Sequence, residues 1–114
     1  MWIFRRLFAW LSTLLILFLS MVSPAMADQE IAAGKLLFST NCAGCHLGGK
    51  NVIMPDKSLQ KSALVKYGMD SQEAIINQIT KGKGAMPAFA GKLSQEQILQ
   101  VANYVLDSAE KGWK

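Results

Sequence analysis

The chain has one histidine and two cysteines among its 114 residues. Cys42 and Cys45 lie three positions apart, so they cannot build a disulfide framework, and a bridge between them would close almost no loop. A structural zinc site takes four Cys or His ligands, and this chain offers three, so a carboxylate would have to complete it. The first 27 residues contain no acid, and the ten lysines and eight acids after them are nearly balanced. Those lysines come as scattered singles or a lone KGK, which reads as solvated surface. With no basic run interleaved with aromatics, they argue against nucleic acid as a partner. Convincing strand alternation, internal repeats and low-complexity tracts are also missing.

What is present falls into two unlike parts. Residues 1–27 hold 20 of the 58 hydrophobic residues: Arg5 and Arg6 precede an apolar stretch from Leu7 to Val22, then Pro24 and the small triplet Ala25-Met26-Ala27. That is the layout of a cleaved secretory signal peptide, with the cut expected before Asp28. As an uncleaved anchor the stretch falls short of the ~20 residues a membrane span needs, and it lacks the amphipathic, Arg- and Ser-rich pattern of a transit peptide. Residues 28–114 then form one small exported domain that is not embedded in a membrane. A domain of that size buries only a little over ~60% of its unfolded surface, so a bulky apolar cofactor would supplement its core.

Periodicity in 28–114 is helical. Asp28 to Thr40 sets Ile31, Gly34, Leu37 and Phe38 on one face, with acids in the first turn. Asn41 to Pro55 reads as a short helical piece followed by turns. Ser58 to Tyr67 offers Leu59, Ala63 and Tyr67 as an inward face, closed by Gly68. Asp70 with Glu73 opens a helix that faces Ala74, Ile75 and Ile79 inward and stops at Gly82. Ser94 with Gln97 makes a capping box for a last helix whose Ile98, Val101, Ala102 and Val105 share a face.

The chemistry concentrates in Cys42-Ala43-Gly44-Cys45-His46, the C-x-x-C-H pattern that attaches a c-type haem. Two thiols one helical turn apart can each add to a haem vinyl group, which leaves the adjacent imidazole under the iron. Both cysteines and the only histidine fall within these five residues. A thioredoxin-like pair would need a βαβ context that the helical pattern denies, and a plain local disulfide would leave His46 unexplained. With no second histidine, a sixth iron ligand must come from elsewhere. Met54, Met69 and Met86 are available in the domain, and an isolated methionine is usually core filling. Met86 differs in setting, since Gly82-Lys83-Gly84-Ala85-Met86-Pro87 is a helix-free loop stiffened by proline. Thioether ligation favours ferrous iron, and two filled axial positions point to electron transfer rather than catalysis. An open iron site would instead mean a haem sensor or peroxidase.

Cys42 to His46, the following Gly48-Gly49-Lys50-Asn51, QITKGKGAMPAF from Gln78 to Phe89, and the terminal VANYV with Trp113 together resemble the cytochrome c6 family, the soluble class I cytochromes c of cyanobacteria and algal plastids. The resemblance covers essentially all of 28–114. It implies an all-α class I cytochrome c fold, about four helices around one covalently bound haem c, with Cys42 and Cys45 as thioethers and His46 and Met86 as axial ligands. By the same resemblance, Gly34 and Phe38 cross Val101 and Tyr104, Gln78 lies near the haem, Asn51 lies near a propionate, and a backbone carbonyl close to Pro55 accepts the His46 ring N–H. The implied role is electron carriage in the thylakoid lumen, from the cytochrome b6f complex to photosystem I. A periplasmic carrier that donates to a terminal oxidase would share every haem residue.

Overall fold

The structure, a computed structural model, describes residues 1–19 and 24–114, the side chains of 12–19 excepted. The expected apolar stretch Leu7 to Val22 therefore ends outside the described residues. Its described part is helix α1, Trp2–Leu19, whose side chains up to Leu11 are exposed. Among the described residues no helix is long and apolar enough to cross a membrane.

Five further helices follow: α2 (Pro24–Asn41), the single turn α3 (Ala43–His46), α4 (Lys61–Lys66), α5 (Gln72–Lys81) and α6 (Gln95–Glu110). Short 3₁₀ turns at Leu47–Gly49 and Pro55–Lys57 lie between α3 and α4. The described residues contain no strand, only an isolated bridge between Lys83 and Met86.

The frame is α6 packed against α2 and α5. Ser94 caps α6 as expected: its hydroxyl accepts from Gln97 N at 3.1 Å, and the Gln97 side chain accepts from Ser94 N at 2.9 Å. Ile98, Val101, Ala102, Val105 and Ala109 then repeat every three or four residues along one face, and all are buried. At the crossing with α2, a Cβ on Gly34 would lie 2.1 Å from the Gln100 carbonyl oxygen and 2.9 Å from Tyr104 Cβ. Only glycine lets these two backbones meet, and Phe38 one turn later packs its ring on Tyr104, centroids 5.2 Å apart. Leu64, Ile75, Ile79 and Phe89 complete the core.

Three local expectations shift. Helix α2 begins at Pro24, so Asp28 and Glu30 lie beyond its first turn. Helix α4 begins at Lys61, because Leu59 N donates to Gly49 O (2.8 Å) and Gln60 N to Ser58 Oγ (3.3 Å), which holds Ser58–Gln60 out of helix. Its buried residue is Leu64; Tyr67 stays exposed, with its hydroxyl donating to Asp56 Oδ2 at 2.7 Å. The cap of α5 is Ser71 in place of Asp70, accepting from Ala74 N at 3.2 Å. Met69 N donates to Leu64 O at 2.7 Å, which ties the preceding chain to the end of α4 and delays the next helix.

Candidate functional site

Helix α2 delivers the attachment segment. Cys42 N donates to Phe38 O at 2.8 Å, continuing the helical pattern, and Cys45 N and His46 N both donate to Cys42 O at 3.2 and 3.0 Å. The two thiols are thus presented one turn apart, and both are free. Cys45 is exposed; burial desolvates Cys42 and pushes its thiol up to about 11, so it stays protonated at neutral pH.

The imidazole of His46 is oriented by a carbonyl, as expected, but the carbonyl belongs to Lys50 and not to a residue close to Pro55: Nδ1 lies 2.9 Å from Lys50 O. The turn Leu47–Gly49, with Gly48 and Gly49 both at positive φ, folds Lys50 back within reach. With Nδ1 held as the donor, Nε2 keeps its lone pair for a metal.

Asn51 closes its own loop. Its Nδ2 donates to Lys57 O at 3.0 Å and its Oδ1 accepts from Ile53 N and Met54 N at 3.1 and 2.9 Å. Val52 N in turn donates to Cys45 O at 3.1 Å, which lays this loop against the attachment turn.

Met86 occupies a turn closed on itself. Lys83 N donates to Met86 O and Met86 N to Lys83 O, both at 3.0 Å. Gly82, at φ 69, allows the fold-back, since a Cβ there would meet Met86 O at 2.6 Å and Ala88 N at 2.7 Å. The Met86 side chain packs on the core, and Gln78 Nε2 lies 3.8 Å from its sulfur. A thioether has two lone pairs, so a sulfur that accepts from Gln78 keeps one for a metal. Met69 also packs on the core, while Met54 lies exposed in the Asn51 loop.

These groups fit a covalent haem. Two reduced thiols sit one turn apart beside an imidazole with a free nitrogen, and a half-buried thioether stands on a separate loop. Leu47, Val52, Ile53, Met54 and Val65 are all exposed on the segment that follows the thiols. So much outward apolar surface on one stretch suits a large flat apolar partner better than water. Trp113, which sequence reasoning placed only as a shared terminal residue, closes over this segment: its indole N–H donates to Leu59 O at 2.9 Å. The signal for it was Gly112, a helix-ending glycine that turns the chain back.

An all-helical frame carrying these groups defines a c-type cytochrome. The family model described as "Cytochrome C oxidase, cbb3-type, subunit III" matches residues 29–105. Cytochrome c6 of Microcystis aeruginosa is 65% identical over 80 residues, covering 70% of this chain and 99% of that protein. Cytochrome c6 of Thermostichus vulcanus is 56% identical over 97 residues, covering 85% of this chain and 86% of that protein. The solved structure of cytochrome c6 from the diatom Phaeodactylum tricornutum superposes with a TM-score of 0.71 at 56% identity, over 73% of this chain and 98% of that one. The chain belongs to the cytochrome c6 family. It is an electron carrier rather than an enzyme, and its cofactor is one covalently bound haem c.

Proposed function

We propose that residues 28–114, freed from the leader 1–27, shuttle single electrons from the cytochrome b6f complex to photosystem I in the thylakoid lumen of a cyanobacterium or an algal plastid. The observation that carries this reading is the 65% identity to a cytochrome c6 over almost that protein's whole length. Cys42 and Cys45 would attach the haem as thioethers, and His46 Nε2 and Met86 Sδ would hold its iron. When bound, haem c supplies a one-electron iron couple. The Lys50 carbonyl keeps His46 in one tautomer and orientation, and the Gly82 turn holds Met86 without help from a helix. The Gln78 amide, 3.8 Å from the sulfur, would draw density from it and favour ferrous iron in the same sense as the thioether itself. Asn51 braces the loop that Val52 N ties to Cys45 O, and the same reading sets it near a haem propionate.

The test is flash-induced re-reduction of photosystem I by the holoprotein over a range of ionic strength. Fast, concentration-dependent and salt-sensitive re-reduction is the expected result. The family model's description favours one second reading, a periplasmic carrier that donates to a terminal oxidase. A redox-competent protein that leaves photosystem I oxidised and is itself oxidised by oxidase-bearing membranes would establish that instead.

A further inference from the structure

We propose that Trp113 is a positioning residue for His46, acting through the loop that carries the Lys50 carbonyl. This rests on the reading of His46 as an axial ligand. Beyond the end of α6, Gly112 and Trp113 both take left-handed backbone conformations, φ 68 and 60. Trp113 is the one described non-glycine residue to do so, and such a conformation persists only where its surroundings over-determine it. Here Trp113 N donates to Ser108 O at 2.8 Å and Gly112 N to Ala109 O at 3.2 Å, turning the chain back across α6. The indole then packs on Phe38 and Tyr104, centroids 5.4 and 5.9 Å away.

From that seat the ring grips both sides of one backbone pairing. Leu59 N donates to Gly49 O, and the Trp113 indole N–H donates to Leu59 O. On the other side the indole lies so close to Gly49 that a Cβ there would come within 2.4 Å of its atoms. Lys50, the next residue, presents the carbonyl that accepts from His46 Nδ1. The bond from His46 N to Cys42 O holds the residue from the α3 side; Trp113 fixes its hydrogen-bond partner. Since that bond sets the orientation and basicity of a metal-bound imidazole, the C-terminal residues reach the iron through one side chain.

His46 is the only histidine, so holoprotein labelled with ¹⁵N-histidine gives one ring system to follow. A paramagnetic shift of that signal in the ferric state identifies His46 as the ligand. In the diamagnetic ferrous state, the exchange of its Nδ1–H with solvent reports how firmly Lys50 holds it. Trp113→Phe keeps a stacked ring and loses the N–H to Leu59. It is expected to speed that exchange at least tenfold beyond any rise in global opening, whereas Ile98→Val, on the far end of α6, speeds it only in step with global opening. Exchange that merely tracks global stability in Trp113→Phe overturns the proposal. Should that variant fail to take up haem, the unsubstituted protein decides: the Trp113 indole N–H and the His46 Nδ1–H are expected to share one denaturant dependence, and two different dependences overturn it. A ferric signal without paramagnetic shift overturns the ligand reading and this inference with it. A shifted signal with unmoved exchange overturns this inference alone.

Discussion

Replacing Gly34 with alanine puts a methyl group where α2 and α6 have no room. The added carbon would stand 2.1 Å from the Gln100 carbonyl oxygen and 2.8 Å from its carbon, and both are backbone atoms that no rotamer change can move. Relief requires the helices to separate by about 1 Å, and a gap of that order forfeits a quarter to a half of the dispersion energy at the contact. The contacts concerned are those of Phe38, Val101 and Val105, each at most 4% exposed. Overpacking of this kind costs about 1–3 kcal/mol, with backbone clashes at the upper end, while alanine returns up to about 1 kcal/mol of helix propensity. The expected net loss is about 2 kcal/mol, which at 4–8 °C per kcal/mol lowers Tm by about 8–16 °C. Thermal and urea unfolding of the holoprotein measure it, with Gly91→Ala as the reference because a Cβ there meets nothing within 4 Å. If Gly34→Ala unfolds no earlier than Gly91→Ala, the crossing does not depend on the absence of a side chain and the reasoning fails.

Met86→Leu keeps the volume and removes the sulfur. The ferric protein should lose its sulfur-to-iron charge-transfer absorption and its midpoint potential should fall; retention of both would assign the sixth ligand elsewhere. Ser94→Ala deletes half of the capping box and is expected to cost about 1 kcal/mol in chemical denaturation, with no change in the visible spectrum. Tyr67→Phe tests a surface contact by its pH dependence. The Tyr67 hydroxyl is the main cause holding the Asp56 carboxyl below its ordinary 3.8, so its contribution is present above that value and lost as pH falls through the depressed folded value. The stability difference between the two proteins should therefore shrink in strongly acid solution, and a difference that stays constant from neutral to acid pH would remove Asp56 from the account. The same contact raises Tyr67 above 10.0, so the difference should also shrink when the phenol ionises in alkali.

Much of the frame was legible because it is encoded locally. The α6 cap and its inward face need only Ser94, Gln97 and a 3.6-residue repeat, and the attachment turn is contiguous. Where the reading slipped, the cause was a partner distant in sequence or a tie between equivalent residues. Asp70 and Ser71 are equally good caps, and what separates them is the tether from Met69 to Leu64. Ala63 and Tyr67 fit an inward face as well as Leu64 does until Asp56 draws the phenol outward. The carbonyl for His46 was misplaced by several residues because two left-handed glycines, not the proline, bend the chain back. For Trp113 the sequence offers only the turn-back at Gly112: its contacts with Gly49 and Leu59 join segments more than fifty residues apart, and no local pattern names those partners.

The meeting of Gly34 with Gln100 and Tyr104 has a further consequence for how the domain holds together. It joins the first helix of the domain to the last, while the thiols, His46, Gln78 and Met86 all lie between them in sequence. A protease cut in the exposed Ala90-Gly91-Lys92 turn would leave that whole set on one fragment and α6 on the other. The smaller fragment would still carry a capped helix with a continuous apolar face, ready to rebind the groove left by its departure. In the uncut chain α6 is in effect a peptide ligand that the protein supplies to itself, held by a short tether at an effective concentration on the order of millimolar. Reassembly of the two nicked halves would then measure, as a dissociation constant, the cohesion that the intact molecule shows only as stability.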